Sequence, residues 1–341
     1  ANFNSEVPYE SWREPQFRFG SFTTLGELCI ATGHDEKTVS DYRRELSVDS
    51  AFATVAYKTS DGVTHERRTF VSYPANVIAI RFKASEKGRQ NLRITYCPNP
   101  LGEGTFSADG KNGVLYLGRL DNNGMQYAVR LQVKTVGGKV TCQDSLLTVE
   151  RADEAVILLT ADTDYAPNYD PDFSDPLAYV GVNPTSTTKK WMNKAAKKGF
   201  DRLFAEHHAD YAALFDRVQF ELQGPASSLP TDQRLAAYRQ GKPDAGLETL
   251  YYQFGRYLLI ASSRPGNLPA NLQGMWHNNV DGPWRVDYHN NINLQMNYWP
   301  ALPTNLAECA QPLTDFIRLL EKPGERTAKA YWGARGWAAG I

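Results

Sequence analysis

The stretch Gln126–Val136, Q-Y-A-V-R-L-Q-V-K-T-V, decides the fold class of the N-terminal half of the chain. Positions 127, 129, 131 and 133 are apolar, and the positions between them carry Ala128, Arg130, Gln132 and Lys134. An apolar side chain at every second position is typical of a strand with one buried face and one wet face, as found in antiparallel sheets. This stretch therefore predicts an antiparallel β-strand.

Other β-rich segments lie on both sides of this strand. They are rich in β-branched and aromatic residues and are separated by turn signals such as Asp61-Gly62 and Gly137-Gly138. The further predicted strands are Thr69–Ile80, Asn91–Tyr96, Val114–Arg119 and Ala155–Thr160. No helical pattern lies between them, so a parallel α/β sheet is disfavoured and an antiparallel β-sandwich is predicted over residues 1–180.

The apolar period changes after this region. Apolar and aromatic side chains now recur at helical spacing, at Phe200, Leu203, Phe204, His207, Tyr211, Leu214 and Phe215. This pattern predicts a long amphipathic helix. After a break at residues 223–244, Leu247–Ala261 and Leu313–Leu320 predict two more helices. We therefore expect a β-sandwich at 1–180, a helical linker at 181–222 and a helical domain at 223–341.

Composition excludes several protein classes. The 341 residues carry 37 Lys and Arg against 38 Asp and Glu, which disfavours a nucleic-acid partner. No apolar run approaches the roughly 18 residues of a membrane helix.

Four widely spaced cysteines without a C-x-x-C pair favour buried free thiols, with room for one disulfide. The chain opens at Ala1 without a signal-peptide pattern, so its compartment stays open, with a periplasmic or secreted location favoured.

The segment Arg264–Pro312 has an unusual composition. Its Asn residues lie at 267, 271, 278, 279, 290, 291, 293, 297 and 305, and its Trp residues at 276, 284 and 299. Amides form hydrogen bonds without charge, and indole offers a flat apolar face, which together suit the hydroxyl edges and C–H faces of a sugar. The alternative is structural: the amides cap backbone groups, and the Trp rings close one end of a helical domain.

Within this segment, Asn290–Asn293 is the most informative run. If it is extended, Asn291 and Asn293 point to one side and Ile292 to the other, with His289 on the same side as the two amides. His289 also suits a packed core position. The acidic residues Asp281, Asp287 and Glu308 show no paired spacing, so solvated or capping roles are expected for them. His207-His208 has no partner at metal-ligand spacing, and we expect neither a metal nor an organic cofactor.

Three stretches carry a family resemblance. They are N-L-Q-G-M-W at 271–276, P-W-R-V-D-Y-H-N-N-I-N-L-Q-M-N-Y-W-P at 283–300 and T-N-L-A-E-C at 304–309. They resemble glycoside hydrolase family 95, which holds mainly α-L-fucosidases with some α-galactosidases. Weaker similarity includes D-Y-R-R-E-L at 41–46. The resemblance implies an N-terminal β-sandwich, a helical linker and an (α/α)6 barrel.

The resemblance also implies a reaction and its residues. The family hydrolyses glycosides with inversion, by a Glu acid and an Asp base. Asn291 and Asn293 match two amides that orient the attacking water, and His289 matches a sugar-contacting position. The acid and base are expected beyond Ile341, so neither is assigned here. The expected activity is that of an α-L-fucosidase acting on an oligosaccharide or glycan; an α-galactosidase or a non-catalytic carbohydrate-binding protein is the alternative.

The length of the helical part predicts that more polypeptide is needed. Twelve helices of about 11–12 residues with loops of about 4–6 residues require roughly 180 residues. Only 119 residues run from Gln223 to Ile341. We therefore expect activity to depend on the remainder of the same polypeptide, which also contributes the two catalytic carboxylates.

Overall fold

The computed structural model describes residues 22–121, 123–172, 174–175 and 177–340. The chain divides into two compact units. The first contains the residues up to Ser47, Phe52–Asp210 and His277–Asp287, and the second contains Val48–Ala51, Tyr211–Trp276 and the residues from Tyr288 onward. Among the described residues, no helix is both long enough and apolar enough to cross a bilayer.

The described part of the first unit contains twelve strands. They are β1 (Gly26–Ala31), β2 (Ser40–Ser47), β3 (Phe52–Lys58), β4 (Thr64–Ser72), β5 (Val77–Ala84), β6 (Gln90–Pro98), β7 (Gly102–Ala108), β8 (Gly113–Leu120), β9 (Gln126–Val136), β10 (Lys139–Gln143), β11 (Leu146–Ala152) and β12 (Glu154–Thr163). One sheet has the order β1-β6-β11-β10, and the other has the order β2-β3-β4-β5-β12-β9-β8-β7. Neighbouring strands pair antiparallel throughout both sheets.

The two sheets pack face to face around an apolar core. The inner side chains of the small sheet, such as Ile94 and Leu147, meet those of the large sheet, such as Leu131 and Ile157. All four are at most 2% exposed. Leu131 and Val133 of β9 lie in this core, and Tyr127 and Val129 lie in a neighbouring buried cluster. The predicted antiparallel sandwich is confirmed. The predicted wet face of β9 is wrong at Ala128 and Arg130, which are buried, and Arg130 donates a hydrogen bond to the Thr188 hydroxyl at 3.2 Å.

Helices cover the outer face of the large sheet. The first unit contains α1 (Pro184–Lys198) and the larger part of α2 (Phe200–Phe215), whose last residues from Tyr211 belong to the second unit. Asn183 caps α1 by accepting a hydrogen bond from the backbone N–H of Thr185 at 2.8 Å. Met192 and Leu203 pack against Phe70 on the sheet. The centroid of the His207 ring lies 5.0 Å from that of Phe70, so this histidine packs in the interior.

The second unit is helical. After α2 it contains α3 (Thr231–Arg239), α4 (Ala245–Ser262), α5 (Asn293–Tyr298) and α6 (Gln311–Trp332). The predicted helices at Phe200–Phe215, Leu247–Ala261 and Leu313–Leu320 are thus confirmed, and α6 extends further than its pattern indicated. Apolar side chains from α2, α4, α5 and α6 form one cluster, in which Leu306 and Cys309 are fully buried.

Two predictions about the first half were wrong. Thr69–Ile80 is not one strand: β4 ends at Ser72, β5 begins at Val77, and a turn lies between them. The cysteines are not all buried: only Cys309 is, whereas Cys29 and Cys97 are exposed on β1 and β6 with their Sγ atoms 3.5 Å apart.

Candidate active site

The run Asn290–Asn293 is not extended, so the extended conformation considered for it in the sequence analysis is wrong. Residues 290–292 form a turn, and α5 begins at Asn293. The strand alternation that was to place Asn291 and Asn293 on one side therefore does not apply. Both side chains are nevertheless exposed, Asn291 in the middle of the turn and Asn293 at the first residue of the helix.

Buried residues of α5 hold this turn from beneath. Leu294 and Tyr298 are 5% and 7% exposed and belong to the apolar cluster of the second unit. The Tyr298 hydroxyl accepts a hydrogen bond from the backbone N–H of Ala270 at 2.8 Å and lies 2.7 Å from the Ser263 hydroxyl. Burial raises the pKa of Tyr298, so the phenol stays protonated. The short helix is thereby fixed although it has only six residues.

A tight turn at Asn271–Gly274 is fastened to the same helix. The backbone N–H of Gly274 donates to the Asn271 carbonyl at 2.9 Å, and the Asn297 side-chain amide donates to that same oxygen at 2.9 Å. Gly274 has a φ of +71°, and a Cβ there would lie 2.6 Å from the Trp276 ring. Glycine is therefore required, since it lets this indole lie against the backbone.

His289 lies just before the turn and is half-buried. Its carbonyl accepts the backbone N–H of Leu294 at 3.1 Å, which ties it to the first turn of α5. The preceding residue is anchored, because the Tyr288 hydroxyl donates to the Pro269 carbonyl at 2.9 Å and its ring lies 4.5 Å from that of Phe316. The structure thus brings His289, Asn291 and Asn293 into one short segment whose neighbours are buried.

Exposed aromatic side chains accompany these polar groups in the second unit. Trp276 is 48% exposed, and Trp299, which follows α5 directly, is 60% exposed. These exposed indole rings supply flat apolar faces beside the amides. The second unit therefore presents both kinds of surface that a sugar requires.

The third Trp of the unusual segment lies in the first unit. Trp284, Arg285 and Val286 have φ values of 51°, 58° and 52°, all in the left-handed region. Val286 is fully buried, and a β-branched residue at positive φ is a genuine outlier. The segment Arg264–Pro312, treated as one unit in the sequence, thus divides between the two compact units, and its first-unit part is strained.

Glu308, an acidic residue of this segment, forms an ion pair. Glu308 lies 2.9 Å from the Arg217 guanidinium, and this contact lowers the pKa of the carboxyl. A general acid needs the opposite shift, so Glu308 does not suit that role. Within the described ranges, no group of three or more His, Cys, Asp or Glu side chains is placed to hold a metal ion.

A second concentration of polar side chains lies in the first unit, and no sequence pattern predicts it. His34, Tyr57, His65 and Gln90 line a cavity of about 610 Å³ within the sandwich. They come from separate strands and one connection, so no local motif joins them. Tyr57 and His65 meet because β3 pairs with β4, which sets these two residues opposite each other.

Comparison with known families gives two matches. The family described as glycosyl hydrolase family 95 catalytic domain matches residues 199–341. The family described as glycosyl hydrolase family 65, N-terminal domain matches residues 4–168. Residues 199–341 are thus similar to the catalytic domain of glycoside hydrolase family 95. The first match includes the whole segment that carries His289, Asn291 and Asn293.

Curated proteins similar to this chain are named as fucosidases. "Alpha-L-fucosidase 2" of Arabidopsis thaliana is 34% identical across 93% of this chain and 40% of its own length. "Probable alpha-fucosidase A" of Aspergillus niger is also 34% identical, across 94% of this chain and 41% of its own length. The chain thus spans about two fifths of the length of these relatives.

A solved structure shares the fold. The "putative kojibiose phosphorylase from human microbiome" superposes with a TM-score of 0.53 over 89% of this chain and 39% of its own, at 10% sequence identity. At this sequence identity, the similarity shows the fold alone. The predicted fold class, an antiparallel sandwich followed by helices of an (α/α)6 barrel, is confirmed.

Proposed function

We propose that this chain belongs to an inverting α-L-fucosidase that releases terminal α-linked L-fucose from oligosaccharides or glycans. The observation that carries the proposal is the similarity to two fucosidases over more than nine tenths of the chain. Because the chain spans about two fifths of those relatives, the activity is proposed for the whole polypeptide that contains it. The general acid and the general base are proposed to lie outside these 341 residues.

Asn291 and Asn293 are proposed to orient the attacking water. An amide oxygen has two lone pairs and no charge, so it accepts a hydrogen bond from water without competing for its proton. Asn291 Oδ1 already accepts the backbone N–H of Ile292 at 3.0 Å, which fixes its direction and leaves one lone pair. A water held in this way presents its oxygen to the anomeric carbon while the distant carboxylate removes its proton.

The surroundings of the amides are proposed to bind the sugar. His289 is proposed to contact a sugar hydroxyl, since it directly precedes the turn that carries both amides. Trp276 and Trp299 expose indole faces that suit the C–H face of a pyranose ring. Neither role needs a metal or an organic cofactor, because carboxylates and water suffice for glycoside hydrolysis.

A substrate panel tests this proposal. The polypeptide is incubated with 2′-fucosyllactose and with aryl α-L-fucoside, α-L-galactoside and α-D-galactoside, and the released sugar is quantified. We expect free fucose from the first two and far slower release from the galactosides. Preferential release of galactose would replace the fucosidase by an α-galactosidase. Binding of 2′-fucosyllactose without hydrolysis of any substrate would favour a non-catalytic carbohydrate-binding protein.

A further inference from the structure

The cavity in the first unit results from unequal sheets. The four-stranded sheet covers β5, β12, β9 and β8, whose inner side chains form the shared core. β3 and β4 continue the large sheet beyond this cover, and their inner face carries Val55, Tyr57 and His65. The connection from β1 to β2, including Thr32 and His34, borders the space. A cavity of about 610 Å³ results, within the range of about 300–1,000 Å³ typical of ligand pockets.

Three rings contact one another in this cavity. His34 Nδ1 lies 2.7 Å from the Tyr57 hydroxyl, the His34 and His65 centroids are 4.3 Å apart, and Tyr57 stacks on His65 at an interplanar angle of 17°. His65 is 6% exposed. Burial lowers the pKa of both histidines, so both rings are neutral at pH 7. The cluster therefore offers ring faces and hydrogen-bonding nitrogens without positive charge.

The charged groups of the lining show no excess of one sign. Glu66 pairs with Arg68 at 3.0 Å, which neutralises its carboxylate. One carboxylate, Glu36, and one guanidinium, Arg67, remain in the lining. With neutral histidines beside them, these groups do not make a phosphate or carboxylate site. The electrostatics favour a ligand that carries no net charge.

A buried amide in the lining points to a polar ligand. Gln90 is 3% exposed, and its side-chain nitrogen has no hydrogen-bond partner among the described residues. An unsatisfied buried amide costs about 1–3 kcal/mol, so native structures rarely keep one without a use. Ile30, Phe82 and Leu92 supply apolar surface beside it. An uncharged ligand with both hydroxyls and an apolar face meets all of these requirements.

We propose that this cavity is a non-catalytic carbohydrate-binding site for one or two sugar rings. A pyranose face lies on the half-buried Tyr57 ring, and Gln90 forms a hydrogen bond to a sugar hydroxyl. A second glycan-binding site on the same polypeptide raises the effective concentration of a glycan near the catalytic domain. The residues of the cavity support this proposal independently of any fucosidase activity. Only the choice of fucosylated probes rests on the proposed function.

The test measures binding of defined sugars to the chain. L-fucose, 2′-fucosyllactose, lactose and inorganic phosphate are titrated while saturation transfer to the sugar and the imidazole resonances of His34 and His65 are followed by NMR. We expect at least one sugar to bind with a Kd below about 20 mM, with shifts of both imidazoles and no response to phosphate.

Matched variants locate the binding. Gln90→Met keeps the side-chain length and removes the orphaned amide, and Tyr57→Phe keeps the ring but removes the hydroxyl. We expect about tenfold weaker sugar binding in Gln90→Met and weaker binding in Tyr57→Phe. Gln143→Met, at an exposed position on β10, serves as the control and should bind like the wild type.

Several results would overturn this proposal. They are the absence of sugar binding up to about 20 mM, binding unchanged in both Gln90→Met and Tyr57→Phe, or a response to phosphate alone. Binding that disappears in Asn291→Ala/Asn293→Ala but persists in the cavity variants would place the sugar at the candidate active site instead. A chain that binds sugar through Gln90 but belongs to an inactive polypeptide would refute the fucosidase proposal and leave the cavity proposal intact.

Discussion

The α5 turn and the sandwich cavity collect polar side chains in opposite ways. At the turn, His289, Asn291 and Asn293 are close in sequence, and buried neighbours hold them at the surface. In the cavity, polar groups from distant strands meet in a partly enclosed space, and one amide is left unsatisfied. The first arrangement suits the activation of a water molecule in an open site. The second suits retention of a ligand that replaces water.

The largest effect is expected at the two exposed amides. Asn291→Ala and Asn293→Ala, made in the complete polypeptide, should lower kcat by about 10²-fold or more, since positioned general-base assistance contributes about 10²–10⁴-fold. The free energy of unfolding should change little, because both side chains are exposed. Steady-state kinetics and chemical denaturation measure the two effects separately.

Asn193→Ala, at an exposed position of α1, is the control for these variants and should keep the wild-type kcat. A loss confined to KM would assign the amides to uniform substrate binding. Early unfolding with normal specific activity would make them structural groups and remove the contrast with the cavity.

The next largest effect is expected on stability, at the buried residue Leu294 that holds the turn in place. Leu294→Ala removes a side chain that is 5% exposed in the apolar cluster, which should lower the free energy of unfolding by about 2–5 kcal/mol. Met296→Ala, two residues along the same helix and 49% exposed, should change it by less than about 0.5 kcal/mol. Urea denaturation followed by circular dichroism compares them. Equal losses would show that α5 is not held by its buried face.

A smaller loss is expected at the Tyr298 hydroxyl. Tyr298→Phe leaves the Ala270 backbone N–H and the Ser263 hydroxyl without this partner, which should cost about 1–3 kcal/mol of unfolding free energy. The ring remains, so the apolar packing is kept. Urea denaturation measures this loss, and a variant as stable as the wild type would mean that the hydroxyl does not fasten α5 to the Pro269–Asn271 segment.

These elements also mark what the sequence could predict. The regular apolar periods along β9, α2 and α4 predict these elements correctly, although Ala128 and Arg130 on the second face of β9 are also buried. β2 is almost wholly exposed and shows no alternation, so it escaped notice. The turn between β4 and β5 contains Pro74, which interrupts a strand ladder, but the apolar residues around it concealed the break.

The two sites also differ in how far they can be predicted from the sequence. Asn291 and Asn293 could be found because their neighbours in sequence carry the family resemblance, yet their conformation depends on the burial of Leu294 and Tyr298, which no local pattern specifies. Tyr57, His65 and Gln90 meet only after the sheets have paired. Sites built from contiguous residues are visible in a sequence, whereas sites built by strand pairing are not.

The smallest effect concerns pH and the start of α4. Asp244 caps this helix and pairs with Arg234 at 2.8 Å, and chiefly this contact lowers the pKa of Asp244 to about 2. A lowered pKa means that the stabilisation is present above the unfolded value of about 3.9 and is lost as the pH falls through the folded value. The Tm difference between wild type and Asp244→Asn should therefore shrink from pH 5 to pH 2. A difference independent of pH would show that the charge of Asp244 does not contribute.

The most direct test of the central claim is the configuration of the first sugar released. An aryl α-L-fucoside is mixed with the complete polypeptide, and ¹H NMR spectra are recorded before the anomers of free fucose equilibrate. Attack by a water molecule held at Asn291 and Asn293, on the face opposite to the leaving group, predicts that β-L-fucose appears first. Initial formation of α-L-fucose, or no release of fucose at all, would contradict the account.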